Sequence, residues 1–253
     1  MLRIRVIPCL LLKDVSLVKT KRFKEYNYIG DPINTVRIFN ELEVDELMFL
    51  DIFASKENRS INFKILKDIA NECFMPLSYG GNIKNLNDVK KIFEIGFEKV
   101  VINSNAFDNL KLIKEIVKYF GVQSVIGSID VKKSIFGGKR VYSHHGRIKQ
   151  KDDVVIWAKK LEDSGVGELL ITSIDKEGSW DGYDIELIKR VADNVKVPVI
   201  ANGGCGSVQH IGEVVKKGAA SAVAVGSMVV YQKKGMGVLI NFPERRHLEQ
   251  EIL

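Results

Sequence analysis

Residues 79–104 read YGGNIKNLNDVKKIFEIGFEKVVINS, and residues 201–227 read ANGGCGSVQHIGEVVKKGAASAVAVGS. Both begin at a glycine pair, Gly80-Gly81 and Gly203-Gly204. Both continue through an amphipathic stretch and close on an apolar run ending in a small polar residue. A second pair, DELMFLDI and GELLITSID, matches at almost the same separation, with Glu46 corresponding to Glu168. One matched glycine turn would mean little. Two pairs at nearly one separation indicate a chain whose halves reuse a single strand-loop-helix plan.

Working outward, β-rich apolar runs occur at RIRVIPCLL, ELMFLDI, PLSYGG, KVVINS, SVIGSID, ELLITSID, VPVIANGG and SAVAVGS. Segments with helical period lie between them, including DPINTVRIFNEL, NFKILKDIANEC, NLNDVKKIFEIG, NLKLIKEIVKYFG and KDDVVIWAKKLEDSG. Continuous apolar runs are what strands buried on both faces require, so the sheet should be parallel. Eight βα units in 253 residues predict an α/β fold, a single (β/α)8 TIM barrel with a half-barrel internal repeat. A doubly wound open sheet is the alternative. No linker or composition shift divides residues 1–253, which read as one domain.

Composition excludes several classes of function. No apolar run approaches the ~18 residues needed to span a membrane. MLRIRVIPCLLL superficially suggests a leader, but Pro8 interrupts a short run and no small-residue cleavage site follows, so it reads as a strand. Cys9, Cys73 and Cys205 are odd in number and lack metal-ligand spacing, which points to a reduced cytoplasmic compartment and no metal site. The net charge of +6 suits an anionic small substrate or an acidic partner; no helix carries the basic stripe of a nucleic-acid binder.

The glycine turns suggest a ligand. Each follows a strand and opens towards a helix, where backbone N–H groups can approach an anion without an intervening Cβ. Gly81, Asn82, Asn103 and Ser104 form one set; Gly178, Gly203, Gly204, Gly226 and Ser227 form the other. Two such sets on one barrel face imply a small molecule with a phosphate at each end, although glycines also simply close tight βα turns.

The phrases RVIPCLLLKD…LVK, GDP, DELMFLDI, GGNIK, EKVVINS, SIDVKK, GELLITSIDKEG…GYD and IANGGCG run in order along nearly the whole chain. The sequence resembles the cyclase subunit of imidazole glycerol phosphate synthase. The resemblance implies ammonia delivered through the barrel by a partner glutaminase and used on a bisphosphorylated ribulose intermediate (PRFAR), with no cofactor. It adds Lys19, Thr172, Asp175 and Asn202 to the substrate-binding set. It also implies a ring of four charges gating ammonia at the N-terminal mouth, here Arg5, Glu46, Lys99 and Glu168. Two cations and two anions can neutralise one another, as a buried charged layer requires; ordinary solvated charge at strand starts is the plainer reading.

The family's catalytic pair is two aspartates, at the ends of the first and fifth strands. Asp130 falls on the fifth-strand position, but Leu11 falls on the first. Arg5, Ile7, Cys9 and Leu11 share one face of a strand, so Leu11 occupies the inward slot at the catalytic mouth. Leucine transfers no proton, and losing a general acid/base costs about 10²–10⁴-fold, ~3–5 kcal/mol of barrier. Asp14, three residues on, has the wrong parity to replace it.

The sequence is therefore most similar to a divergent relative that works with a glutaminase and an ATP-dependent sugar amidotransferase in surface-polysaccharide biosynthesis. That resemblance implies ammonia relayed onward to amidinate an N-acetylated sugar. An authentic cyclase and a phosphosugar-binding barrel without ammonia are the other readings. Further departures accompany Leu11. Tyr79 and Asn82 flank the first glycine turn and should crowd the first phosphate site. The stretch DVSLVKTKRFKEYNYIG around Lys19 reads as a basic, aromatic loop. His144 and His145 lack metal spacing and read as solvated, and Cys9 reads as an inert core thiol.

Overall fold

Arg5–Lys13 forms a strand (β1), followed in chain order by Leu47–Asp51 (β2), Leu77–Gly80 (β3), Lys99–Ile102 (β4), Val125–Lys133 (β5), Glu168–Ser173 (β6), Val199–Asn202 (β7) and Ala222–Val225 (β8). The computed structural model describes residues 4–134 and 137–252. Neighbouring strands pair in parallel throughout, and β8 returns to β1 with Ala222 opposite Arg5, so the sheet closes. This is the (β/α)8 barrel expected from the alternation. The open sheet is excluded by the β8–β1 pairing.

Helices cover the outside because their starts are specified locally. Asp31, Asn62, Asn85, Asp153 and Asp184 each accept a hydrogen bond from a first-turn N–H of the helix that follows, satisfying one of its unpaired donors. Pro32 follows Asp31 at a position where its missing N–H costs nothing. None of the described helices is long and apolar enough to cross a membrane.

Alternation along the strands divides the apolar residues into two cores. Val6, Leu10, Phe49, Val100, Ile129, Leu169 and Val223 face outward and pack with the helices. Ile7, Cys9, Leu11, Met48, Val101, Ile126, Leu170, Ile200 and Ala224 face inward and fill the barrel axis. Tyr79 belongs to the outer layer, edge-on to Phe97. Parity gives the inward slots of β3 to Ser78 and Gly80, yet the Tyr79 hydroxyl donates to the Gly81 carbonyl at 3.3 Å, so Tyr79 packs against the first glycine turn from outside the cavity rather than filling it.

The half-barrel repeat persists in the backbone. Asn103 has φ −121°, ψ −94° and Gly226 has φ −120°, ψ −88°, each just before a short helix, Ser104–Asp108 and Ser227–Val230. Asn85 and Ser207, which precede the helices after the two glycine pairs, likewise share near-identical extended angles.

The stretch around Lys19 is not a loop. Ser16–Thr20 turns back on β1, with Val18 opposite Leu11, and Tyr26–Gly30 adds a further antiparallel strand. Lys139–Ser143 makes a similar arm on β5, with Tyr142 opposite Asp130. A sharp reversal with Asp14 at φ 56° starts the first arm. Both arms rise from the C-terminal end of the barrel.

Leu170, fully buried on the axis, sets a stability test. Leu170→Ala is expected to lower unfolding free energy by ~2–5 kcal/mol. Ile156→Ala, on an exposed helical position, should change it by less than ~0.5 kcal/mol. Denaturant titration of both variants checks the contrast.

Candidate functional site

The C-terminal ends of the strands surround a cavity. Leu11, Asp130, Lys19, Gly81, Asn82, Asn103, Ser104, Thr172, Gly178, Asn202, Gly203, Gly204, Gly226 and Ser227 all line it. Asp175 does not. Its carboxylate accepts from the Lys133 backbone N–H at 2.6 Å, which ties the loop after β6 to the arm on β5 and turns the side chain away from the mouth. Of the expected site residues, Asp175 is thus placed outside the cavity lining.

Asp130 sits at the inward position of β5, buried, beside Thr172 of β6. Asn103 donates its amide N–H to Asp130 Oδ2 at 2.9 Å. Burial pushes the carboxyl up to about 7, against the opposing pull of the Asn103 amide and the Thr172 hydroxyl. Leu11 also lines the mouth, 9% exposed, at the inward position of β1. Asp14 is no substitute. It lies outside the cavity, largely exposed, and pairs with Arg59 at 3.2 Å.

Backbone geometry makes Gly178 and Gly204 of the second set obligatory. Gly204 has φ +108°, and a Cβ there would lie 2.1 Å from the Gly182 carbonyl oxygen. Gly178 has φ +69°, and a Cβ there would lie 2.6 Å from the Thr20 carbonyl oxygen. In the first set Asn82 takes φ 49°, a conformation asparagine tolerates, and it donates to the Arg59 carbonyl at 2.7 Å. Thr20 Oγ1 and Asn103 Oδ1, both on lining residues, are buried without hydrogen-bond partners. A ligand with polar groups would satisfy them.

Two buried ion pairs at the mouth were missed in the sequence. Lys19 Nζ meets Glu177 Oε1 at 2.5 Å, and Glu177 Oε2 accepts from the Phe23 backbone N–H, pinning the first arm over the loop after β6. Asp51, at the end of β2, pairs with Arg59 at 3.0 Å and accepts from Phe53 and Ala54 N–H. Burial raises the Asp51 carboxyl pKa in spite of Arg59. No spacing marked these partners, because each pair joins different βα loops.

The two histidines are not freely solvated, which corrects the expectation. His145 stacks on Phe23 with centroids 5.1 Å apart and planes at 13°, lies 5.9 Å from Phe53, and lines the cavity. His144 Nδ1 is 2.9 Å from Ser143 Oγ, and its N–H donates to Ser104 Oγ. Burial pushes the Cys9 thiol up to about 12, in keeping with an inert core residue. Among the described residues no His/Cys/Asp/Glu group is arranged to hold a metal.

At the opposite end of the barrel, Arg5, Glu46, Lys99 and Glu168 form a closed ring. Arg5 reaches Glu46 at 2.7 Å and Glu168 at 2.8 Å; Lys99 reaches the same two carboxylates at 3.1 and 3.6 Å. Burial alone would lower the Arg5 pKa, but Glu168 and Glu46 outweigh it and hold it above the usual guanidinium value. Glu168 Oε2 remains buried without a partner.

The raised Asp130 pKa fixes a pH dependence. Between the unfolded value of 3.8 and about 7 the folded chain binds the extra proton, so this group's effect on stability worsens as pH rises through that window and levels off above it. Asp130→Asn should therefore be stabilised relative to the parent at pH 8, by up to about 4 kcal/mol, and the difference should shrink by pH 5. Denaturant unfolding at the two pH values measures it; a pH-independent difference would contradict the assignment.

The family model described as histidine biosynthesis protein matches residues 5–235. A provisionally named imidazole glycerol phosphate synthase subunit, hisF2, of Pseudomonas aeruginosa is 50% identical over 98% of this chain and 99% of its own length. A provisionally named HisF subunit of Leptospira borgpetersenii is 43% identical over 96% of each chain. The imidazole glycerol phosphate synthase subunit HisF of Methanococcus vannielii is 42% identical over 92% of this chain and 93% of its own. With the barrel, its charged ring and its Asp130 mouth in place, these matches make the chain a member of the histidine biosynthesis protein family, of the HisF kind.

Proposed function

We propose that this chain is an ammonia-accepting synthase subunit of the HisF kind. It docks a glutaminase at the N-terminal face of the barrel and relays ammonia to the C-terminal mouth, for amidination of an N-acetylated sugar in cytoplasmic steps of surface-polysaccharide biosynthesis. An ATP-dependent sugar amidotransferase is the further partner under this reading, and an anionic phosphorylated small molecule is the ligand of the mouth. The observation that carries it is the contrast between the two ends: a complete four-charge ring at one, Leu11 in the catalytic slot at the other.

The physical logic is that of a neutral passenger. The ring's two carboxylates and two cations cancel in charge, and the spare acceptor on Glu168 suits an arriving N–H donor. Beyond the ring the axis is lined by Ile7, Met48, Ile126, Leu170 and Ile200, which would exclude an ammonium ion far more strongly than ammonia. At the far end Asp130 is, among the described residues, the lining carboxyl without a cationic partner. Ring closure and cleavage of PRFAR need proton transfer at two places, and one group is missing.

The second reading, an authentic cyclase forming imidazole glycerol phosphate and AICAR from PRFAR, is favoured by the retained Asp130–Asn103 contact and by a carboxyl titrating near neutrality. Ammonium-supported turnover of PRFAR by the purified chain separates the two. The expected result is no imidazole glycerol phosphate from the folded parent, with turnover rising about 10²-fold or more in Leu11→Asp. Clear product formation by the parent would establish the cyclase instead.

A further inference from the structure

Beside the mouth lies a second cavity, of about 430 Å³, between the arm on β1, the loop after β2 and the arm on β5. Its charged lining is one-sided. Arg22, Lys24, Lys56, Lys132 and Arg147 border it, against a single carboxylate, Glu25. None of these five cations forms a salt bridge among the described residues. Arg22 Nε donates to a backbone carbonyl, Lys56 lies over the Phe53 ring and Lys132 over that of Tyr142. Like charges gathered around one concavity repel each other, and an anion between them relieves the repulsion.

The remaining lining is aromatic. Phe53 is buried at the base with Tyr26 edge-on to it, and the parallel Phe23–His145 pair forms a wall. Burial and the neighbouring Lys56 and Arg147 push the His145 pKa down, which disfavours a further positive charge in this wall. The volume lies within the ~300–1,000 Å³ typical of small-molecule sites. Phosphate-seeking cations and flat rings in one concavity match a ligand that carries both an anion and a planar heterocycle.

We propose that this cavity binds a nucleotide, with its phosphates among Arg22, Lys56, Lys132 and Arg147 and its base against the Phe23–His145 wall. The same two wall residues also line the barrel mouth, so the ligand would sit next to the main cavity without entering it. The inference rests on this cavity's own residues and stands whether or not the mouth relays ammonia.

Calorimetric titration of the full chain with uridine diphosphate, adenosine diphosphate and inorganic pyrophosphate, at one ionic strength, tests it. Base stacking should make at least one nucleoside diphosphate bind about tenfold or more tighter than pyrophosphate. Lys56→Glu combined with Arg147→Glu, both on exposed side chains, should weaken that binding by about tenfold or more. Asn202→Ala, whose side chain lines the mouth and not this cavity and holds neither arm, should leave it within about twofold, and the imidazole resonances of His145 in the parent should shift on binding, a readout independent of any variant's folding. Absence of saturable binding at millimolar nucleotide would overturn the proposal. So would equal affinity for pyrophosphate, which denies the base a role, or binding lost in Asn202→Ala but kept in the double reversal, which places the nucleotide in the mouth.

Discussion

Strand parity in a closed barrel governs where everything else lies. Each parallel strand sends alternate side chains to the axis, and its register against two neighbours forbids a slip, because a one-residue shift would exchange the inner and outer cores. Arg5 and Leu11 are on the same face of β1, so fixing one fixes the other. At ~3.3 Å per residue they stand ~20 Å apart along the strand, which the strand's tilt of about 36° reduces to ~16 Å along the barrel axis. A charged ring at one mouth and a leucine at the other are thus two readings of a single strand in a single register.

The two ends solve the problem of buried charge in opposite ways. The ring keeps all four charges by alternating their signs, with each cation touching both carboxylates. The mouth has one axial carboxyl, Asp130, with amide and hydroxyl neighbours and no cation, so desolvation dominates and the group drifts towards neutrality. Lys19, which could have supplied a cation, is instead held by Glu177. That pair clamps the arm on β1 across the mouth, while Arg59 and Asp51 clamp the loop after β2. The polar periphery of the site is therefore tied down by ion pairs between loops, and its centre is left nearly uncharged.

The eight strands were legible because a strand covered on both faces must be apolar throughout, and RVIPCLLL or AVAV cannot hide that. The arm Ser16–Thr20 was not, because its lysines and short apolar pairs resemble a solvated loop; Val18 reaches the barrel axis only because Asp14 turns the chain back onto β1. The outward slot of Tyr79 was readable from the same alternation that placed Leu11, but the contact of its hydroxyl with Gly81 was not. His145 was not readable at all. Its stacking partner Phe23 comes from the other half of the chain, and only the closure of the barrel brings the two arms side by side. The partners of Lys19 and Asp51 were hidden for the same reason, whereas Asn103 and Thr172 were accessible through resemblance and through their parity with Lys99 and Glu168.

Leu11 changes more than the count of acids. A carboxyl in its slot would face Asp130 across the mouth, and two interacting buried carboxyls titrate as a pair, with one proton held more tightly and the other lost more readily. With leucine there, Asp130 titrates by itself, near the pH at which a group is best able both to give and to take a proton. That suits a single transfer, and it falls short of a reaction that needs an acid on one side of its substrate and a base on the other. Under the proposed relay it also removes one means of protonating ammonia as it leaves the axis. Ammonia that is protonated in an apolar mouth becomes a buried cation beside a neutral acid, an unfavourable state; ammonia that stays neutral remains a nucleophile for whatever acceptor is presented next. Under that reading an apolar residue at the exit is the same choice of chemistry as a charge-cancelled ring at the entrance, applied at the other end of one strand.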